Sequence, residues 1–223
     1  MFLAFLTYLF FQTNGNDTCL PKYYINQYPD SVIAKCNSAS NISSLSAAEK
    51  DVILFTNLVR YNPPLFLEKV SKPFIENCYL KHIVYDYRAK HIESLYADLK
   101  STPPLPLLQT EPVLNETAAD YADYCSRTGT IGHTNTMERW QTVKQKLEHI
   151  KFGENCSYVP NRFNNGLFHI ISLLIDEDSP IDYGHRKAIL YKSYQFIGVG
   201  IRPFPGNRQV LIQHFSLKKY LSN

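Results

Sequence analysis

Phe196-Ile197-Gly198-Val199-Gly200-Ile201 and Val210-Leu211-Ile212-Gln213-His214-Phe215 decide the fold class of this chain. Both are short apolar runs rich in strand-forming residues. Pro203, Pro205 and Gly206 lie between them, which predicts a β-hairpin. Upstream, helical patterns dominate and no regular strand–helix alternation is seen. Helices followed by an antiparallel hairpin point to an α+β arrangement.

Working back from the hairpin, residues 185–191 read as a short helix and residues 176–184 as an acidic loop. Gly166 to Ile175 is an apolar run of helical length, preceded by Gly153-Glu154-Asn155. An amphipathic stretch spans Arg139 to His149, and His133 stands at the mouth of a loop. Thr110-Glu111-Pro112 is a helix start, with proline in the first turn. Leu114, Ala118, Tyr121, Ala122 and Cys125 line one face of that helix, and Gly129 stops it. Pro103, Pro104 and Pro106 force an extended linker. Further upstream, Ser46 and Glu49 form a capping box before the helical spacing of Val52, Phe55, Leu58 and Val59, which Pro63-Pro64 ends. Residues 65–100 carry further helical turns. Residues 16–44 are polar and read as an irregular leader, within which Cys19 and Cys36 can close a small loop.

The chain has 223 residues, enough for one domain and a sizeable core. Its formal net charge is only +3, with no run of like charge, so nucleic acid is not an expected partner. Residues 1–11 are apolar except for Thr7. They fall short of the roughly 20 residues a membrane-spanning helix needs, but match the apolar middle of a secretory signal. Thr13-Asn14-Gly15 would be its cleavage site, so residues 1–15 are expected to be a signal peptide, although the first lysine is Lys22. The expectation is a secreted, extracellular or periplasmic protein that is not integral to a membrane. In that setting Cys19, Cys36, Cys78, Cys125 and Cys156 would form disulfides, and five being odd, at least one is free or pairs between chains. No two have Cys-x-x-Cys spacing. Glycosylation sequons occur at Asn16, Asn41, Asn115 and Asn155.

The order of motifs resembles the CAP superfamily, which takes in cysteine-rich secretory proteins, antigen 5 and pathogenesis-related proteins. The resemblance runs over about residues 46–217. Asn57-Leu58-Val59-Arg60 is similar to the Asn-x-x-Arg of the family's first helix, and residues 106–125 resemble its second. Gly132-His133-Thr134, Gly153-Glu154-Asn155 and Leu174-Ile175-Asp176-Glu177 resemble the three motifs that follow, with Leu174 where the family has tryptophan. Gly184-His185-Arg186-Lys187-Ala188-Ile189-Leu190 is closest to bacterial-type members. Ile197-Gly198-Val199-Gly200 and the strand holding Gln213 and Phe215 complete the series. The resemblance implies a three-layer α-β-α sandwich over residues 45–219 around a central antiparallel sheet, with a helical insertion at about 65–104.

It also implies that His133, Glu154, Glu177 and His185 meet in a cleft, with Asp176 the alternative to Glu177. Two imidazoles and two carboxylates suit zinc or another divalent metal. On their own, each histidine would be a loop or surface residue and Glu154 a helix cap. Asn57 and Arg60 are read as anchors of the first helix. His82, His91, His149, His169 and His214 are read as structural, and a Cys125–Cys156 bond would brace the cleft. Three functions fit: a module that binds a metal, a small apolar ligand or a protein partner; a metal-dependent hydrolase with Glu154 or Glu177 as general base; or a structural protein with a vestigial cleft. The absence of Gly-x-Ser-x-Gly and His-Glu-x-x-His motifs favours binding over catalysis.

Overall fold

The computed structural model describes residues 17–80, 88–161, 165–177 and 182–218. The expected signal peptide, the Asn16 sequon, His82 and Asp178 lie outside the described residues.

The molecule is an α-β-α sandwich around a four-stranded sheet. Helices α1 (Pro21–Ile25), α2 (Asp30–Cys36) and α3 (Ala47–Tyr61) come first. Short α- and π-helical turns follow from Pro63 to Tyr79, then α4 (Arg88–Ser101), strand β1 (Gln109–Thr110), α5 (Pro112–Thr128) and α6 (Thr136–Lys146). Strand β2 (His149–Pro160), α7 (Gly166–Ile175), α8 (Gly184–Ile189), β3 (Phe196–Phe204) and β4 (Arg208–Lys218) complete the chain. The sheet order is β1-β3-β4-β2. The β2–β4 and β3–β4 pairings are antiparallel, as expected, but β1 pairs with β3 in parallel. Asn57 explains that departure. Its amide grips both the N–H and the C=O of Leu108, which lays residues 109–110 along β3.

Several elements form where the local chemistry dictates. Ser46 and Glu49 make a reciprocal capping box on α3. Pro112 opens α5 and Gly129 closes it in the left-handed conformation. Gly206 and Asn207, both at positive φ, turn the β3–β4 hairpin. Pro73 lacks the N–H an α-helix needs, and π turns flank it.

Two readings are corrected. The segment read as irregular, residues 16–44, is helical in part over its described residues: α1 and α2 form there because Tyr24 and Cys36, both fully buried, dock on the core. The amphipathic stretch does not reach His149, because α6 ends at Lys146 and His149 begins β2, so Gly153-Glu154-Asn155 lies in a strand.

The sheet separates two layers. On one face Cys156, Val210 and Ile212 pack with Ala118, Tyr121, Ala122 and Cys125 of α5. That helix lies so close that a Cβ on Gly198 would sit 2.1 Å from the Leu114 carbonyl carbon, so no larger residue fits. On the other face Ile197, Val199, Leu211 and Phe215 join the main core with α3 and α7. Arg60, fully buried, binds the carbonyls of Pro106, Ile189, Tyr191 and Tyr194 and locks α3 to the chain around α8. Asn115 and Asn155, both in sequons, are buried and hydrogen-bonded, whereas Asn41 is exposed.

The disulfide joins Cys19 to Cys78 and ties the N-terminal segment to the helical turns that end at Tyr79. Neither the Cys19–Cys36 loop nor the Cys125–Cys156 brace forms: Cys36, Cys125 and Cys156 are free and buried. Cys36 is held in the core by α2, and the Cys156 thiol donates to the Gly132 carbonyl at 3.2 Å. Among the described residues no helix is long and apolar enough to cross a membrane.

Candidate functional site

Strand β2 lies at the edge of the sheet, and its alternation sends neighbouring side chains to opposite faces. Glu154 points into the α5–α6 layer. Asn155 points the other way, bonding the Gln213 side chain and the His185 carbonyl. The Gly-Glu-Asn motif therefore joins two half-sites, one on each side of the strand.

In the first half-site, Gly132 at φ 131° bends the chain after α5, a conformation that only glycine adopts freely, and presents His133. Its Nδ1 lies 3.0 Å from Glu154 Oε1. Arg139 Nε and Nη2 each donate to Glu154 at 2.7 Å, on Oε2 and Oε1 respectively. Thr136 Oγ1 donates at 3.1 Å and His214 Nε2 at 2.9 Å. These contacts fill the roughly four lone-pair positions of a carboxylate. Burial alone would raise the Glu154 pKa. The hydrogen bonds from His133 and His214, with the charges of His214 and Arg139, outweigh it and hold the carboxyl well below its usual range. Burial lowers the pKa of His214, whose Nδ1 lies 3.0 Å from Thr117 Oγ1. Burial, reinforced by the Glu154 charge, pushes the Cys156 thiol well above its usual range. Its sulfur lies 3.9 Å from His133 Nδ1. Among the described residues, His133, Glu154 and Cys156 form a group of three potential ligands whose atoms all lie within 4.8 Å of one another.

In the second half-site, Asp176 ends α7 in the left-handed conformation, at φ 56°. Its Oδ1 lies 2.8 Å from His185 Nδ1, and its Oδ2 accepts from the backbone N–H of His185 at 2.9 Å and of Arg186 at 3.4 Å. Of the two acids weighed for this position, Asp176 makes the contact. Glu177 accepts from the Tyr79 hydroxyl at 3.2 Å and lines a small pocket with His185 and Cys156. Arg186 braces the loop from behind, binding the carbonyls of Leu174, Ile175 and His91 and the side chains of Ser94 and Asp98. Helix α4 thus packs behind the cleft, where it anchors the residue next to His185.

The two imidazoles face each other across the strand edge, their ring centroids 6.3 Å apart and their planes tilted by 40°. The His133 side chain is 54 % exposed and that of His185 20 %. Among the described residues neither Nε2 has a hydrogen-bond partner. Of the four residues expected together, His133 and Glu154 are in contact and His185 stands opposite His133, while Glu177 shares a pocket with His185 that neither His133 nor Glu154 lines. Sequence reasoning missed Arg139 and His214, the latter taken as structural. The only signal for His214 was its place in a strand, since its partner depends on the register that sets Glu154 opposite it.

Residues 84–215 match the CAP family of cysteine-rich secretory proteins, and the chain belongs to that family. No curated protein matches it in sequence. Among solved structures it is similar to an outer surface protein of Borrelia burgdorferi, at 20 % identity and TM-score 0.41, over 61 % of this chain and 97 % of that one. It is also similar to venom allergen-like protein 4 of Schistosoma mansoni, at 12 % identity and TM-score 0.38, over 61 % of this chain and 91 % of that one.

Proposed function

We propose that this member of the cysteine-rich secretory protein family is an exported binding module whose cleft holds a divalent cation between His133 and His185. The observation that carries the reading is the pair of carboxylate-fixed imidazoles, His133 on Glu154 and His185 on Asp176, 6.3 Å apart. A carboxylate on Nδ1 keeps the proton there and leaves Nε2 as the metal-binding lone pair. Imidazole donors suit zinc or a similar ion, which would supply Lewis acidity and an anchor point for a partner's oxygen or nitrogen. Glu154, its lone pairs already filled and Arg139 beside it, serves as the orienting group and not as a ligand. The same saturation argues against Glu154 as a general base, so binding is favoured over hydrolysis. Export is supported by the apolar residues 1–11 and by the Cys19–Cys78 bond, which suits an oxidising compartment.

Thermal stability with zinc and with chelator, measured beside His133→Ala and His185→Ala, tests the reading. Zinc should stabilise the wild type by the linkage of ligand to folded state, and neither variant should respond. Asp176→Asn should weaken metal binding by about 10-fold or more, as loss of an orienting partner does, while Glu177→Gln changes it little. Undiminished zinc stabilisation in His133→Ala would overturn the proposal.

A further inference from the structure

Residues of α5, of α6 and of the loop between them, Arg139 included, line a second, open cavity of about 290 Å³. No aliphatic side chain lines it. Tyr121 and Tyr124 stack along one wall, 5.8 Å apart and within 12° of parallel. The Arg139 guanidinium carbon lies 3.4 Å from the Tyr121 ring centroid, so this aromatic wall already holds one cation. That cation is already paired with a carboxylate, and four of its five N–H donors are engaged. Nε and Nη2 bind Glu154, and Nη1 donates to the Thr134 carbonyl at 2.6 Å.

The remaining groups are of one kind. Asp120 and Glu138 both line the cavity, both are exposed, and neither carboxylate makes a hydrogen bond or ion pair among the described residues. Tyr124 presents its ring at 38 % exposure. Asn135 lines the mouth without capping α6. Thr117 is engaged with His214, and Thr142 donates to the Glu138 carbonyl. The cavity therefore offers hydrogen-bond acceptors, two negative charges and an aromatic face, with its only cation neutralised. An anion or a fatty acid finds no counter-charge there. An organic ammonium ion finds two carboxylates and a ring whose neighbour already holds a guanidinium.

We infer that the α5–α6 cavity is a binding site for a small organic amine, held by Asp120 and Glu138 through its ammonium group and by Tyr124 through its apolar part. The volume lies at the small end of ligand sites and suits a compact amine. The site is separate from the His133–His185 cleft and stands or falls without it.

Titration calorimetry of the full folded chain with 2-phenylethylamine, beside its uncharged analogue 2-phenylethanol, tests the assignment. The amine should bind saturably and roughly 10-fold more tightly than the alcohol, as expected from two carboxylates and one aromatic contact acting together. Asp120→Asn and Glu138→Gln should each weaken it roughly two- to fivefold. Glu116→Gln, on the same helix but outside the cavity, should leave it unchanged, and circular dichroism checks that each variant folds. Equal affinity for the alcohol, no saturation at millimolar amine, or full affinity in the double variant would overturn the site. Tighter binding of an Nα-acetyl-lysine amide than of 2-phenylethylamine would assign the cavity to a partner's lysine and overturn the free amine as occupant.

Discussion

Replacing Arg139 by methionine isolates the interaction on which the first half-site rests. The Glu154 side chain is 1 % exposed and that of Arg139 11 %, so this is a buried ion pair with two-point geometry. Removing one partner leaves a carboxylate without its full counter-charge, a change that costs about 3–5 kcal/mol in buried pairs. His133, His214 and Thr136 still donate to Glu154, which places the loss near the lower end, at about 3 kcal/mol. For a chain of this size that lowers Tm by about 6–12 °C. Glu154→Gln should also destabilise, and the double variant should lose clearly less than the sum of the two, since each single change strands the other's partner. Melting curves of the four proteins at pH 7 measure the cycle. Arg139→Met melting within about 0.5 kcal/mol of the wild type, or strict additivity in the double variant, would refute the claim that Arg139 neutralises Glu154.

Two further outcomes follow from the same structure. Acid should destabilise the fold in two stages. Burial lowers the folded pKa of His214, and that of His169 to about 3, so the unfolded chain takes up protons first and stability falls below about pH 6.5. Glu154, with a depressed folded pKa, adds stability above its unfolded pKa of about 4.3 that is lost below it, so the decline steepens there; a flat Tm between pH 7 and pH 5 would contradict the first stage. Cys19→Ser with Cys78→Ser opens a loop with a sequence separation of 59, for which chain entropy predicts a loss of about 4 kcal/mol; a double variant as stable as the wild type would show that the N-terminal segment docks without its tether.

Much of this architecture is written locally. The capping box at Ser46, the proline at the start of α5, Gly129 at its end and the two β-rich runs around Gly206 specify their elements within a few residues, because caps, turns and periodicity are short-range effects. The ordered motifs, through their resemblance to the CAP family, then single out His133, Glu154 and His185. The sequence does not decide between adjacent acids: the left-handed turn at Asp176 aims that carboxylate, and not Glu177, at His185. Nor does it reveal β2, whose strand is stabilised by pairing with β4 some sixty positions later, or the partners of Glu154, which that register and the packing of α6 bring together. Cysteine pairing fails for the same reason. The Cys19–Cys78 bond depends on where the N-terminal segment and the turns up to Tyr79 dock, and docking is a property of the assembled core. The sequence by itself determined α3, α5, α7, α8 and the hairpin, since each is encoded by neighbours along the chain. Only the tertiary structure decided which carboxylate holds which imidazole, and that Arg139 and His214 saturate Glu154, since those contacts exist only once distant segments share one sheet edge.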